Sequence, residues 1–487
     1  MEIFGFVILP LALAVLALLL PSAGWSERLR PILLPLAAGV HLIVSAQAIF
    51  KPTTVILDDW LALDPLGKIV LIAVSTVFFC SFIYVPHYLR LHSENKNRVF
   101  CTSLLIMLAM VTLVILAQHF VLLWVSLEAT TLSAVLPLYY NRTARSLEAA
   151  WKYMIVCSVG ISLALLGTFF LAYSSLKVGG SDSIPTATLY FNDLKFSAVL
   201  LSKSWLRAAF VTMIVGYGTK LGLAPMHTWK PDAYGEAPGV VGALMAGGVT
   251  SCAFLAIARC VSIMHLAGEF EFASRILIGF GVLSMIVAAI FMVGQNNFKR
   301  MLAYSSVEHM GLLVIGLGIG GLGTFAALFH LINNAAAKGV LFISAANIQR
   351  TYASKLIDQV RGARELLPVS SAFFVLGFVA ITGSPPFAPF MSEFTLLRAA
   401  FGAGHVWLAV LILVLLLVVF VGMATTVLGV IQGVPPERFH DKPIKERFLA
   451  VLPLFILMAL VLLLGVYMPE SLSRLLTEAA TFVERVR

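Results

Sequence analysis

The sequence predicts an all-α integral membrane protein with about 14 transmembrane helices, of which the seventh and the twelfth are broken. Two observations predict the class. The 487 residues are 60% hydrophobic and only 12% charged, with a mean hydropathy of +0.97, and no soluble domain could bury so much apolar surface. Apolar runs of about 20 residues, the length at which a helix crosses the hydrocarbon core, follow one another along the chain.

The spans are predicted from the apolar runs in chain order. They cover residues 3–22, 31–50, 65–88, 100–117, 119–140, 147–174, 206–224, 238–262, 273–293, 301–318, 321–346, 369–397, 405–431 and 448–468. The first run lacks a preceding basic segment, so it is interpreted as a helix and not as a cleaved signal. Residues 470–487 place apolar side chains at helical spacing among charges, which indicates a short interfacial helix.

The placement of the cysteines argues against several kinds of site. The five cysteines lie singly in apolar segments without a CxxC spacing, which argues against an iron-sulfur cluster, a structural zinc site or a disulfide framework.

The net charge of +9 reflects basic loops, and most of these follow odd-numbered spans, as Arg28, Arg98 and Arg300 do. The positive-inside rule therefore predicts that these loops are cytoplasmic and that both termini face outward.

Two spans carry glycine and proline next to an ionisable residue. In the seventh, Lys220 precedes Gly222 and Pro225, and in the twelfth, Gly383 starts a proline-rich break that leads to Glu393. A helix can break inside a membrane only where protein or water satisfies the freed backbone groups. Two such breaks, five spans apart, are typical of a transporter built from inverted repeats.

Ionisable residues at membrane depth suggest a proton relay. Each costs about 3 kcal/mol to place at the bilayer centre, so a whole row must be paired or hydrated. The row consists of Glu128, Lys220, Glu308, Lys338 and Glu393. His309 and His330 lie beside it, and each fits a relay or a hydrogen-bonded core equally well. The alternative for Glu128 with Lys220 is a structural salt bridge between helices.

The segment after the seventh span holds Lys230, Asp232, Tyr234 and Glu236. The positive-inside assignment places it in a cytoplasmic loop. A solvated access route to the membrane interior and a docking surface for partner proteins both remain open for this loop.

Five segments carry a resemblance to a known family. They read LLWVSLEATTLS, KLGLAPMHTWKPDAYGEAP, FKRMLAYSSVEHMG, HLINNAAAKGVLF and GSPPFAPFMSEF. On these segments the chain resembles the antiporter-like proton-channel subunits of respiratory complex I and membrane-bound hydrogenases, most of all the component F type of hydrogenase-4. The resemblance implies two inverted five-helix repeats, at 100–262 and 273–431, between an N-terminal three-helix segment (1–99) and a C-terminal helix with an amphipathic tail (432–487).

The resemblance also implies roles for individual residues. Glu128 and Lys220 match a coupled pair, Lys338 and His330 match the central relay, and Glu393 matches an exit group. The full set expected to relay protons is Glu128, Lys220, His227, Ser251, Glu308, His309, His330, Lys338 and Glu393.

The sequence departs from the family pattern at three places. Thr250 and Ser251 stand in the eighth span where many relatives carry a lysine, so the middle of the relay is either water held by hydroxyls or an interruption. Asn334 and Tyr234 each stand where relatives often have histidine.

The resemblance implies a proton-translocating subunit of a redox-driven complex in the bacterial inner membrane, like hydrogenase-4 or NADH-quinone oxidoreductase. Its partners would be other membrane subunits and a peripheral redox module with iron-sulfur clusters and possible nickel-iron chemistry. No cofactor, metal or redox chemistry is expected in this chain, and no nucleic acid partner. The alternatives are a sodium/proton antiporter subunit and a non-conducting structural anchor.

Overall fold

A computed structural model of the chain describes residues 2–21, 23–51, 55–56, 60–91, 94–176, 187–436 and 446–485. In these ranges the chain is almost entirely helical. The helices are α1 (Glu2–Leu19), α2 (Gly24–Ile49), α3 (Pro65–Arg90), α4 (Arg98–Leu116), α5 (Phe120–Leu138), α6 (Ala144–Ser175), α7 (Phe191–Phe196), α8 (Lys203–Leu221), α9 (Trp229–Glu236), α10 (Gly239–Leu244), α11 (Thr250–Leu266), α12 (Phe270–Met292), α13 (Phe298–Ile319), α14 (Leu322–Tyr352), α15 (Ala363–Leu366), α16 (Pro368–Ile381), α17 (Ala388–Gly402), α18 (Val406–Ile431), α19 (Phe448–Val466) and α20 (Glu470–Glu484). Strands β1 (Val55–Ile56) and β2 (Leu61–Ala62) pair antiparallel, with Val55 opposite Ala62.

The prediction of an all-α membrane protein is confirmed. Among the described residues, 11 helices are long and apolar enough to cross a membrane, and α10 and α11 count as one because the π-helical segment Met245–Val249 joins them. Each predicted span coincides with a helix or, for the twelfth, with the pair α16 and α17. The C-terminal tail is helical as well, as α20.

Two successive sets of five spans have the same order of long and broken helices. The first set is α4, α5, α6, α8 and α10–α11, and the second is α12, α13, α14, α16–α17 and α18. In each set the third member is the longest, with 32 residues in α6 and 31 in α14, and the fourth member is broken. Two consecutive sets with an odd number of spans and the same order of elements are the arrangement expected of inverted repeats.

The helix α14 lies at the centre of the fold. Almost every residue from Gly323 to Ile348 is buried, because α14 packs against α3, α10, α13, α16, α17 and α19. A helix surrounded by protein on all sides can carry polar side chains without facing lipid. This position is what allows α14 to hold His330 and Lys338 inside the membrane domain.

The breaks in the seventh and twelfth spans both use a left-handed glycine. Gly222 (φ +85°) ends α8, and Gly383 (φ +67°) follows α16. A Cβ at Gly222 would lie 2.6 Å from Cδ of Lys230, and one at Gly383 would overlap the carboxylate of Glu393. At each break an ionisable side chain packs directly against the glycine backbone. A residue with a Cβ would clash with that side chain and would also be strained at a positive φ.

A buried ion pair ties α3 and α4 to α11. The Arg259 guanidinium donates a 2.9 Å bond to Asp64, whose other oxygen caps α3 by accepting from the Gly67 amide at 2.6 Å. The same guanidinium donates to the carbonyls of Ile115 and Ala117 at the end of α4. Both side chains of the pair are almost fully buried, and the guanidinium satisfies carbonyls that the helix end leaves free.

Candidate functional site

The first polar cluster joins α5, α6 and α8 through a threonine. The Lys220 ammonium donates a 2.5 Å bond to Oγ1 of Thr131, and that hydroxyl donates to the Glu128 carboxylate at 3.2 Å. Lys220 also donates to the Tyr153 hydroxyl at 3.0 Å, and Ser158 donates to Glu128 at 2.5 Å. The predicted partners Glu128 and Lys220 are thus linked by one hydroxyl and not by a direct ion pair.

The two ends of this cluster differ in their surroundings. Lys220 is completely buried, whereas Glu128 is partly exposed on the surface of the chain. Thr131 has one proton to donate and two lone pairs to accept with, so it can serve both neighbours at once. The cluster can therefore pass a proton between a buried amine and a carboxylate near the protein surface.

Lys230 lies deep in the protein between the two repeats. It is fully buried, and its ammonium donates a 2.7 Å bond to the Leu221 carbonyl at the end of α8. The positive charge of Lys338 disfavours a second positive charge on Lys230, because like charges repel. The sequence placed this residue in a cytoplasmic loop. The structure places it on α9, in the connection between α8 and α10, with its side chain turned into the protein and not toward solvent.

The rest of the predicted loop divides between interior and surface. Tyr234 is fully buried against Phe342, with ring centroids 5.4 Å apart. Asp232 and Glu236 instead line a surface cavity of about 600 Å³. Both carboxylates are paired there. Asp232 pairs with Lys152 at 3.0 Å and with Arg300 at 2.6 Å, and Glu236 pairs with Lys355 at 2.5 Å.

The second polar cluster begins at Lys338, near the middle of α14. Its ammonium donates a 2.6 Å bond to the Ser305 hydroxyl on α13 and a longer one, 3.5 Å, to the Leu302 carbonyl. All atoms of this lysine are buried, as are those of Ser305. A buried lysine held by a hydroxyl repeats the arrangement of Lys220 with Thr131 in the first repeat.

Histidines continue the second cluster from α13 to α17. Nδ1 of His309 lies 3.0 Å from Nε2 of His330, and Nδ1 of His330 lies 2.8 Å from the Ser392 hydroxyl. On the other side, Nε2 of His309 is 4.0 Å from Oε2 of Glu308. Each imidazole can donate through one nitrogen and accept through the other, so the row can carry a proton from one helix to the next.

Glu393 ends the cluster on α17. Its side chain is 6% exposed, and its Oε1 atom has no hydrogen-bond partner among the described residues. It also lines a cavity of about 460 Å³ whose walls are mostly apolar, including Phe390, Phe394 and Phe420. A carboxylate at such a position can exchange a proton between the interior and a surface cavity.

The remaining predicted residues lie near the clusters without joining them. Ser251 donates to the Gly247 carbonyl of its own span at 2.7 Å, and Thr250 does the same to Ala246 at 2.6 Å. His227 is buried near Tyr304, with ring centroids 6.3 Å apart, and its Nδ1 has no partner among the described residues. Asn334 is buried on α14.

Sequence reasoning missed the hydroxyl groups and one lysine. The bridging residues are Thr131, Tyr153, Ser158, Ser305 and Ser392. Serine and threonine are common in membrane helices and give no signal of their own. Lys230 offered a signal, because it lies only ten residues beyond Lys220 and directly after a break that could turn the chain inward.

Comparison with known proteins identifies the family of the chain. Residues 117–419 match the family described as NADH:quinone oxidoreductase/Mrp antiporter, TM. The chain is 33% identical over 389 residues to the Hydrogenase-4 component F homolog of Methylacidiphilum infernorum, covering 79% of this chain and 80% of that protein. It is 27% identical over 478 residues to NADH-quinone oxidoreductase subunit N of Desulforudis audaxviator, covering 94% and 93%.

Solved structures share the fold. A chain of the Mrp complex from Dietzia sp. DQ12-45-1b superposes with a TM-score of 0.86 at 18% identity, covering 99% of this chain and 97% of that one. A chain of respiratory complex I from Thermus thermophilus does so with a TM-score of 0.81 at 22% identity, covering 99% and 100%. The resemblance seen in the sequence is confirmed, and the chain belongs to the NADH:quinone oxidoreductase/Mrp antiporter family of membrane subunits.

Proposed function

We propose that this chain is a proton-translocating membrane subunit of a multi-subunit, redox-driven complex. The observation that carries the proposal is the pair of buried polar clusters, each built around a fully buried lysine held by a hydroxyl, Lys220 by Thr131 and Lys338 by Ser305. Residues of this kind inside a membrane are retained where they transfer ions or protons. The similarity to hydrogenase-4 component F and to NADH-quinone oxidoreductase subunit N supports the same function.

The proton passes between groups that exchange partners. Lys220 gives up its contact with Thr131 and turns toward the centre, where Lys230 lies between the repeats and receives the charge. Two ammonium groups repel in a medium of low dielectric constant, so charging Lys230 drives a proton off Lys338. Ser305, His309 and His330 then lead to Glu393, the exit group. Lys230 thus takes the central place that the hydroxyls of Thr250 and Ser251 do not fill.

The subunit needs a driving partner. Moving one charge against 100 mV costs about 2.3 kcal/mol, and none of the described residues supplies that energy. The driver is a peripheral redox module with iron-sulfur clusters, and with nickel and iron where the complex is a hydrogenase. The remaining partners are further membrane subunits. The complex resides in the bacterial cell membrane, with both termini of this chain on the outer face.

The experiment measures proton uptake into inverted membrane vesicles that contain the whole complex, with the electron donor of its redox module as fuel. The variant Lys220→Met is expected to abolish uptake while the redox reaction is retained or slowed. Lys203→Met, at the exposed start of the same helix, is the matched control and is expected to pump normally. Unchanged uptake in Lys220→Met would show a non-conducting anchor, and uptake that requires sodium would show a sodium/proton antiporter.

A second experiment identifies the driver. The chain is purified from its native membrane in mild detergent, and every co-purifying subunit is identified. Iron-sulfur subunits in stoichiometric amounts are the expected result. Recovery with antiporter subunits alone would contradict redox coupling.

A further inference from the structure

We propose that His309, His330 and Glu393 form a binding site for a divalent transition metal of the zinc class. One potential ligand atom from each of the three residues lies within 4.8 Å of the other two. The residues come from three different helices, α13, α14 and α17, and all are buried. Two imidazole nitrogens with one carboxylate oxygen are a donor set that zinc accepts, with a fourth position left for water.

The spacing of the two imidazoles fits a shared ion. Nδ1 of His309 and Nε2 of His330 are 3.0 Å apart. Two nitrogens bound to one tetrahedral zinc ion at about 2.0 to 2.1 Å lie about 3.4 Å from each other. A movement of a few tenths of an ångström therefore opens the hydrogen bond enough for the ion, and the proton that lay between the two nitrogens moves to Nε2 of His309.

Each imidazole also has a partner for its second nitrogen. Ser392 donates its hydroxyl proton to the Pro389 carbonyl at 2.9 Å, so it accepts from Nδ1–H of His330 and leaves Nε2 with a free lone pair. Oε2 of Glu308 faces Nε2 of His309 at 4.0 Å and has no hydrogen-bond partner among the described residues. When Nδ1 of His309 binds metal, its proton lies on Nε2, directed toward this carboxylate. Metal-bound histidines nearly always have such a partner.

Glu393 supplies the third ligand. Its Oε1 atom has no hydrogen-bond partner in the described part of the chain, although the side chain is 94% buried. An unpaired buried carboxylate oxygen is costly, and a cation bound to it removes that cost. Glu393 also lines the cavity of about 460 Å³, which gives the site an opening toward the surface. An ion held there would fix both imidazoles, and proton transfer through them would stop.

The first test is zinc binding by the 487-residue chain in detergent, measured by equilibrium dialysis and metal analysis. The unsubstituted chain is expected to bind one zinc ion, and His330→Gln is expected to lose it. Ser392→Ala and Glu308→Gln are expected to weaken binding by about 10- to 100-fold, the usual cost of removing a partner of a metal ligand. The control His41→Gln removes a buried histidine on α2 that contacts Thr112 and is expected to bind normally.

The second test needs no variant. X-ray absorption of the zinc-loaded chain is expected to show two imidazole ligands and oxygen ligands for the rest. Binding below one ion per chain, zinc affinity retained in His330→Gln, or an absorption spectrum without imidazole would each overturn the proposal. The metal site and the proton function are separable. An unsubstituted chain that binds no zinc but supports normal proton uptake rejects only the metal site, and normal uptake in Lys220→Met rejects only the proton function.

Discussion

The ammonium of Lys220 reaches the carboxylate of Glu128 only through the hydroxyl of Thr131, which accepts from the lysine at 2.5 Å and donates to the glutamate at 3.2 Å. This relationship makes Thr131 the residue that couples the pair. A direct ion pair would hold both charges in place. With a hydroxyl between them, one charged side chain can move away while the other keeps its hydrogen bond to the hydroxyl.

The first prediction concerns this bridge. Thr131→Val keeps the shape of the side chain but removes the hydroxyl, so Lys220 and Glu128 lose their link. A hydrogen bond to a charged group contributes about 1.5 to 3 kcal/mol, so proton uptake by vesicles should fall by about tenfold or more. The control is Thr130→Val on the same helix, whose hydroxyl donates to the Leu127 carbonyl. An equal decrease of proton uptake in both variants would show an effect on packing, and it would contradict the role of the Thr131 hydroxyl as the link between Lys220 and Glu128.

The second prediction concerns the lysine of the second repeat. Lys338→Met leaves the Ser305 hydroxyl without its donor and removes the only amine in that part of α14, so proton uptake should be lost. The control Lys195→Met also removes a well-buried lysine, which donates to the Phe482 carbonyl at 2.8 Å far from the relay. That variant should pump protons, although docking of α20 should weaken. Pumping by Lys338→Met would remove this residue from the relay.

The third prediction concerns the break in the twelfth span. Gly383→Ala places a Cβ at φ +67°, where it would overlap the Glu393 carboxylate. The left-handed backbone alone costs about 1 to 2 kcal/mol, and displacement of the carboxylate should also reduce proton uptake. Gly402→Ala at the end of α17 is the control, because no atom lies within 4 Å of its Cβ position. Thermal unfolding in detergent and vesicle uptake measure the two effects. Equal unfolding temperatures for Gly383→Ala and Gly402→Ala would contradict the expected backbone strain at position 383.

The fourth prediction concerns the buried ion pair of Asp64 and Arg259. Replacing Arg259 by Met leaves the buried Asp64 carboxylate without its positively charged partner and removes the guanidinium from the carbonyls at the end of α4, and such losses cost about 3 to 5 kcal/mol. Chemical unfolding in detergent should show this decrease in stability. Arg275→Met removes an exposed pair with Glu271 one helical turn away and should leave stability unchanged. A small effect for Arg259→Met would show that water replaces the guanidinium.

The fifth prediction concerns pH. Glu269 lies in the loop between α11 and α12, where hydrogen bonding to Arg207 at 2.6 Å holds the pKa of its carboxyl below the ordinary value. A depressed pKa means that the charged carboxylate stabilises the folded state above the ordinary pKa of 4.5, and that this stability is lost as the pH falls below it. Unfolding temperature should therefore decrease below about pH 4.5 in the unsubstituted chain. Arg207→Gln should flatten this decrease, and an identical pH profile would contradict the assignment.

The sequence by itself determined the membrane class, the positions of the apolar helices and the two broken helices. These follow from apolar run length and from glycine and proline chemistry, which act locally. The buried acids, lysines and histidines were also visible, because a charge inside an apolar run stands out regardless of what surrounds it. The family followed from the same segments.

Only the tertiary structure decided how these residues meet. Thr131 and Lys220 are 89 residues apart, and His330 and Ser392 are 62 apart, so no local pattern pairs them. The burial of Lys230 depends on how the chain turns after Gly222, and no local pattern in the sequence determines that turn. Hydroxyl bridges and the convergence of His309, His330 and Glu393 arise when separate helices pack, and packing brings together residues that the sequence keeps far apart.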